Sequence, residues 1–332
     1  MSEGFLDTEN GQKLWYQVRG NGIPVLFLHG GPGAGCSGYE DINKKLFLSQ
    51  GSNFQLIEFD QRSCGRSVPG LSECLSSDWQ EKARDLRIDT LVDDCERLRR
   101  HLGISHWMLF GGSWGSTLAL RYGIRHPGPI NGMILRGIFL ASKAEVAQFF
   151  TESGRKDDPH GLNQLRQLQE CLGPETDKTC GESVLRDLSR QILAGSESVA
   201  LRYALDEKNT MTGENRQISE LSEEEKKELF LEAFLHSALI PSMAFGSESV
   251  DLLEDLSPLK NIPVWMVHGI DDTICPVSYA DLLGTKLEQQ NVRLQSYIRI
   301  EGAGHSCSEP GIFEALKTCI DDYGKQTGLF NP

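Results

Sequence analysis

Residues 107–115 read Trp107-Met-Leu-Phe-Gly-Gly-Ser-Trp-Gly115, and Ser116-Thr-Leu-Ala-Leu120 follows. The first four residues are an apolar run suited to a buried strand. The stretch from Thr117 to about Arg125 reads as a helix. Between them stands Gly-x-Ser-x-Gly, and a strand-to-helix turn is the context that this motif requires. Such a turn lifts Ser113 above the edge of a sheet, and the flanking glycines leave space around it. The backbone N–H of Trp114 then points from a helix N-terminus toward any oxyanion formed beside the serine.

Outward from this turn, short apolar strands alternate with helices. Val25–Leu28, Phe54–Phe59, Met133–Arg136, Pro263–Val267 and Leu294–Ile300 read as strands. Arg87–Leu102 carries Ile88, Leu91, Val92, Cys95 and Leu98 at helical spacing, and Gly103 ends it. A closing helix is expected from Gly311 to about Tyr323. Alternation of this kind predicts an α/β fold with a mostly parallel, doubly wound sheet. From about 139 to 256 the pattern turns helical and charged. There Ser222-Glu-Glu-Glu225 is a capping box that opens a helix to about Leu239. The expected organisation is a core of 1–138 and 257–332 interrupted by a helical insertion at 139–256.

Composition removes several function classes. The 332 residues are 39% hydrophobic and 24% charged, which is globular composition. Thirty-three basic against 47 acidic side chains give a formal charge of −14. A nucleic-acid binder needs a basic face, and anionic lipid would repel this chain. The opening residues lack the basic and apolar regions of a signal peptide, and no uninterrupted apolar run reaches bilayer-spanning length. Nine cysteines form no Cys-x-x-Cys pair, so neither a disulfide framework nor a structural zinc site is expected. These features predict a protein of a reducing compartment, the cytoplasm, with no nucleic-acid or membrane partner.

A serine nucleophile needs a base and an orienting acid, which in an open α/β sheet follow later strands in the order acid, then histidine. Val267-His-Gly-Ile-Asp-Asp272 offers two adjacent carboxylates, Asp271 and Asp272, and Glu301-Gly-Ala-Gly-His305 offers the base. The spacing does not choose between the two acids. His29-Gly-Gly-Pro-Gly33 follows the first buried strand and offers backbone N–H groups to a reacting carbonyl. Gly33-Ala-Gly-Cys-Ser-Gly38 mimics a dinucleotide fingerprint, with Asp60 at the ribose-acid distance. Its glycines begin too far past the strand end, however. No metal or cofactor is expected.

These blocks together resemble the proline iminopeptidases (prolyl aminopeptidases) of the α/β-hydrolase peptidases. The resemblance lies in His29–Gly33, Phe59-Asp-Gln-Arg-Ser-Cys-Gly-Arg-Ser67, Gly111–Leu120, Leu135-Arg-Gly-Ile-Phe139, His268-Gly-Ile-Asp-Asp-Thr-Ile-Cys-Pro276 and Gly304-His-Ser-Cys-Ser-Glu-Pro310. It implies an α/β-hydrolase with a helical cap. The implied reaction releases an N-terminal residue, preferably proline, from short peptides through an acyl-enzyme. It also implies Ser113, Asp272 and His305 as catalytic residues, with Asp272 chosen over Asp271 by its place before Cys275-Pro276. Gly31 and Trp114 would give the oxyanion N–H groups. Glu207, in Tyr203-Ala-Leu-Asp-Glu207, and Glu232, in Phe230-Leu-Glu-Ala-Phe234, would receive the substrate amine. Two departures stand out. Both tryptophans of the family's Trp-x-x-Trp-Glu stretch are replaced, and Ser63 stands where a tight loop usually has glycine. The alternatives are a small-molecule esterase or amidase on the same scaffold, and a catalytically silent ligand-binding protein.

Overall fold

The computed structural model describes residues 1–8, 11–68, 86–156, 158–212, 214–246 and 249–326. The parts of the expected core at 9–10, 69–85 and 327–332 lie outside them. The described residues divide into two compact units. The larger lies within Met1–Gly70, Asp89–Leu140 and Leu252–Pro332, and the smaller is chiefly Ala141–Asp251.

The larger unit holds an eight-stranded sheet: β1 (Ser2–Asp7), β2 (Lys13–Gly20), β3 (Ile23–Leu28), β4 (Phe54–Phe59), β5 (Trp107–Ser113), β6 (Ile130–Ile138), β7 (Val264–Gly269) and β8 (Leu294–Ile300). Their order across the sheet is β1-β2-β4-β3-β5-β6-β7-β8. From β4 to β8 all neighbours run parallel, whereas β1 pairs β2 and β2 pairs β4 antiparallel. Strands β5 to β7 are buried almost throughout, which explains their continuous apolar sequences. The N-terminal hairpin β1–β2 was not expected. It lies at the sheet edge with alternating exposure, so its sequence lacks the apolar run that marks the inner strands.

Helices α1 (Glu40–Phe47), α2 (Ile88–His101), α3 (Trp114–Arg125), α9 (Val277–Gln289) and α10 (Pro310–Gln326) belong to the same unit. A core of Phe27, Phe47, Phe110, Trp265, Leu316 and Tyr323 packs the sheet against α1 and α10. Strand order reverses between β3 and β5, since β3 continues to β4 on one side and the chain then crosses to β5 on the other. In open α/β sheets the crevice beyond the strand ends at such a reversal is where ligands bind. Leu28 pairs with Gly111 there, so the 29–33 loop and the serine turn leave the sheet side by side.

The smaller unit is helical: α4 (Lys143–Phe149), α5 (Pro159–Gln169), α6 (Gly181–Leu193), α7 (Glu197–Thr212) and α8 (Glu223–Phe245). The Ser222–Glu225 capping box is present in both directions. The helix it opens does not stop near Leu239 but continues through Pro241 to Phe245. Met243 and Ala244 are buried beyond the proline, and that burial offsets the one lost backbone hydrogen bond. By length and composition α8 could cross a membrane, contrary to the reading of the uninterrupted apolar runs. In the decisive window 61% of the helix is buried inside the protein. It packs on α6 and α7.

Candidate active site

The serine turn is strained at its centre. Ser113 is the last residue of β5 and the N-cap of α3, with φ 56° and ψ −127°. An L residue pays for that conformation in steric repulsion, and it persists because the surroundings fix it. Gly115 lies so close to the end of β3 that a Cβ would collide with the Leu28 carbonyl oxygen. The Ser116 hydroxyl donates to the Ser113 carbonyl (2.7 Å) and accepts from the Phe139 N–H (3.1 Å). The Thr117 hydroxyl donates to the Phe139 carbonyl (2.6 Å), so α3 is tied to the chain leaving β6. The helix therefore starts at Trp114, three residues before the position expected from the apolar pattern. Its first N–H groups have no intrahelical acceptor.

Two loops beyond β7 and β8 bring the acid and the base together. His305 Nδ1 lies 2.7 Å from Asp272 Oδ2. Asp272 Oδ1 accepts from the N–H groups of Ile274 (3.0 Å) and Cys275 (2.8 Å). Asp271 is exposed and meets the Ala303 carbonyl only through its backbone N–H. Burial alone would push the Asp272 carboxyl up. The adjoining His305 imidazole outweighs it, by charge and hydrogen bond, with help from His268 and the Cys275 N–H, and holds the group below the usual carboxylate range. Nδ1 of His305 is thus oriented toward Asp272, leaving Nε2 as the nitrogen that can take a serine proton. Gly137 makes room for the ring: a Cβ there would stand 3.1 Å from His305 Cε1, and its own φ is 49°.

His268 is an unforeseen part of this cluster. Its Nδ1 accepts from the Ile138 N–H (2.9 Å), so the proton sits on Nε2, 2.8 Å from the Cys275 carbonyl and 3.5 Å from Asp272. Burial lowers its pKa, consistent with a neutral ring. Arg136, buried beneath the turn, donates from Nη1 to the His305 carbonyl (2.9 Å). Both residues lie inside sequence blocks quoted above. Neither carries a local signal beyond being a charged or titratable residue in an apolar strand.

The 29–33 loop is held from behind. His29 is fully buried, its Nδ1 lies 2.9 Å from the Gly30 carbonyl, and its Nε2 accepts from the Gln61 N–H (3.1 Å). Gln61 Oε1 accepts from Trp114 Nε1 (2.9 Å), which links this loop to the serine turn. Gly31, offered as an oxyanion donor, has φ 107°. Asp60, the would-be ribose acid, is engaged by the Cys36 and Arg66 N–H groups at 2.7 and 2.8 Å. Ser63 has φ 61°, so a serine occupies a left-handed position in this tight loop. Among the described residues no group of His, Cys, Asp and Glu is placed to hold a metal ion.

The two expected amine-binding glutamates lie in the helical unit, Glu207 on α7 and Glu232 on α8. Their charges interact, and burial first, then Glu207, raises the Glu232 pKa against the opposing influence of His236. His236, one turn after Glu232, places Nδ1 3.0 Å from Glu207 Oε2. That contact was not foreseen.

The profile of the alpha/beta hydrolase fold family matches residues 23–311. A proline iminopeptidase of Arabidopsis thaliana is 30% identical over 323 residues, covering 95% of this chain and 78% of the relative. One from Xylella fastidiosa (strain Temecula1) is 30% identical over 322 residues, 96% of each chain. The chain belongs to the proline iminopeptidase family of α/β hydrolases. Solved structures agree on the fold. An esterase from Exiguobacterium antarcticum superposes with TM-score 0.58 at 19% identity, covering 96% of this chain and 98% of that one. A proline iminopeptidase from Mycobacterium smegmatis gives 0.55 at 16%, with coverage of 98% and 100%.

Proposed function

We propose that this protein is a serine aminopeptidase that releases an N-terminal residue, preferably proline, from short peptides. Ser113 attacks the scissile carbonyl while His305 Nε2 takes its proton. Asp272 keeps the imidazole oriented and stabilises its charged form. The backbone N–H groups of Gly31 and Trp114 receive the oxyanion. Collapse expels the amine of the shortened peptide, which takes the proton from His305, and leaves a prolyl ester on Ser113. Water, activated by His305, then hydrolyses that ester to free proline. The free amine of the substrate is received by Glu207 and Glu232. The carrying observation is the 2.7 Å His305–Asp272 pair on the same sheet as the strained Ser113 turn, in a chain of this family. Described cysteines that are all free thiols suit a reducing compartment, and we place the enzyme in the cytoplasm.

A small-molecule esterase or amidase is the second reading, favoured by the loss of both tryptophans around Tyr203–Glu207. Hydrolysis of prolyl 4-nitroanilide and its N-acetyl derivative separates the two. An aminopeptidase cleaves the free amine at least ~10²-fold more efficiently, the scale of a buried charge left unpaired. Comparable rates on both compounds would reject the aminopeptidase reading.

A further inference from the structure

His236 gives the carboxylate pair an internal cation-former. Its side chain is only 9% exposed, and the ring of Tyr203 on α7 meets it edge-on at 6.0 Å between centroids. Glu207 and Tyr203 from α7 and Glu232 from its own helix face it. Lys208 and Glu228 act on Glu232 from farther out. Asp206, beside Glu207, is paired to Arg155 at 3.1 Å. An imidazolium offsets one negative charge of the two glutamates that a neutral imidazole leaves in place. Half-buried carboxylates attract a cation more strongly than carboxylates in water do. A protonated His236 and a ligand ammonium would thus be rivals for the same charge.

Resting on the reading of Glu207 and Glu232 as the amine site, we propose that His236 is a specificity-determining residue. Its imidazolium competes with the substrate ammonium for Glu207, and its neutral form yields that carboxylate. The coupling is reciprocal: a bound ammonium must also weaken proton binding at His236. Cationic ligands are therefore disfavoured in acid, whereas uncharged esters are insensitive to this group. The ratio of amine-bearing to amine-free substrates accepted is set by the state of one ring.

Pyrrolidine, cationic throughout the range used, tests this as a competitive inhibitor of prolyl 4-nitroanilide hydrolysis between pH 5.5 and 8.5, a window bracketing ordinary imidazole titration. In the wild-type enzyme Ki should fall about tenfold with rising pH, a coupling typical of linked sites. In His236→Gln, Ki at pH 5.5 should already match the wild-type value at pH 8.5 and stay flat. A His236→Gln profile parallel to wild type, or uniformly weaker binding, would overturn the proposal. If Glu207→Gln leaves pyrrolidine binding unchanged, the amine site itself is wrong. Loss of binding in Glu207→Gln, together with an unaltered His236→Gln profile, rejects only the role of His236. Should His236→Gln not fold, imidazole proton resonances of the wild-type enzyme decide the matter. Saturating pyrrolidine should lower the apparent pKa of the His236 imidazole, and no such shift would contradict the competition.

Discussion

Asp272, buried in the α/β unit, and Glu232, half-buried in the helical unit, are carboxylates whose surroundings drive them in opposite directions. Asp272 overcomes burial because a histidine, two backbone N–H groups and a second histidine converge on it, so it is ionised at rest. Burial, with Glu207 adding a like charge, raises the Glu232 pKa against the opposing influence of His236 and Lys208. One region carries its counter-charge within the fold. In the other, His236 and Lys208 oppose burial and Glu207 without overcoming them, and on the proposed function a protonated amine would add to the positive side. On the proposed function, the contrast separates a reaction centre from an amine site whose electrostatics the ligand completes.

The contrast breaks first at Asp272. Asp272→Asn should lower turnover by ~10⁴, since the imidazole loses both its tautomer lock and its counter-charge. Asp271→Asn, at an exposed position, should cost less than about tenfold, in line with the small energies of solvated charges. Steady-state kinetics of the two variants would refute the assignment if Asp271 were the costlier loss.

Next comes the proposed amine site. Glu207→Gln and Glu232→Gln should each reduce kcat/KM for prolyl amides by ~10²–10³, and leave hydrolysis of an amine-free activated ester within a few-fold. Equal losses on both substrates would mean that the glutamates support the fold instead.

Thermal unfolding sharpens the comparison further. Glu232 binds its proton more tightly folded than unfolded, so its contribution to stability is full below the unfolded pKa and is lost as pH rises through the folded one. Asp272 is the reverse, contributing above its unfolded pKa and losing that as pH falls through the depressed folded value. At pH 7, Glu232→Gln should raise the unfolding midpoint and Asp272→Asn should lower it. Both differences should shrink below about pH 4, where carboxyl groups take up protons. Shifts of the same sign at pH 7 would contradict the opposed environments.

The smallest effect expected is at Ser63. A left-handed non-glycine residue costs ~1–2 kcal/mol, part of which glycine returns as chain entropy. Ser63→Gly should stabilise by on the order of 0.5 kcal/mol, measurable by urea titration. Destabilisation would show that the serine side chain contributes more than its backbone costs.

The same contrast governs what could be read from sequence. Ser113 and His305 are legible because strained or crowded turns demand glycines at fixed offsets, as at Gly115. Asp272 was not separable from Asp271 by spacing, because the choice is made by the turn that aims Oδ1 at two N–H groups. Ser63 was visible as a departure, and its φ of 61° gives that departure a physical meaning. The β1–β2 hairpin escaped notice because an edge strand need not be apolar. The Glu207–His236 contact joins two helices, and no local constraint ties residues 29 positions apart. Likewise α8 passes Pro241 because tertiary burial continues beyond it.

The central claim is that Ser113 forms a prolyl acyl-enzyme. Rapid acid quenching of the enzyme with a prolyl ester, followed by peptide mass spectrometry, reads this directly. The account predicts one prolyl adduct on the peptide bearing Ser113, with Ser113→Ala lacking it and losing at least ~10⁴ in turnover. Substantial hydrolysis by the alanine variant, or an adduct on another residue, would contradict it.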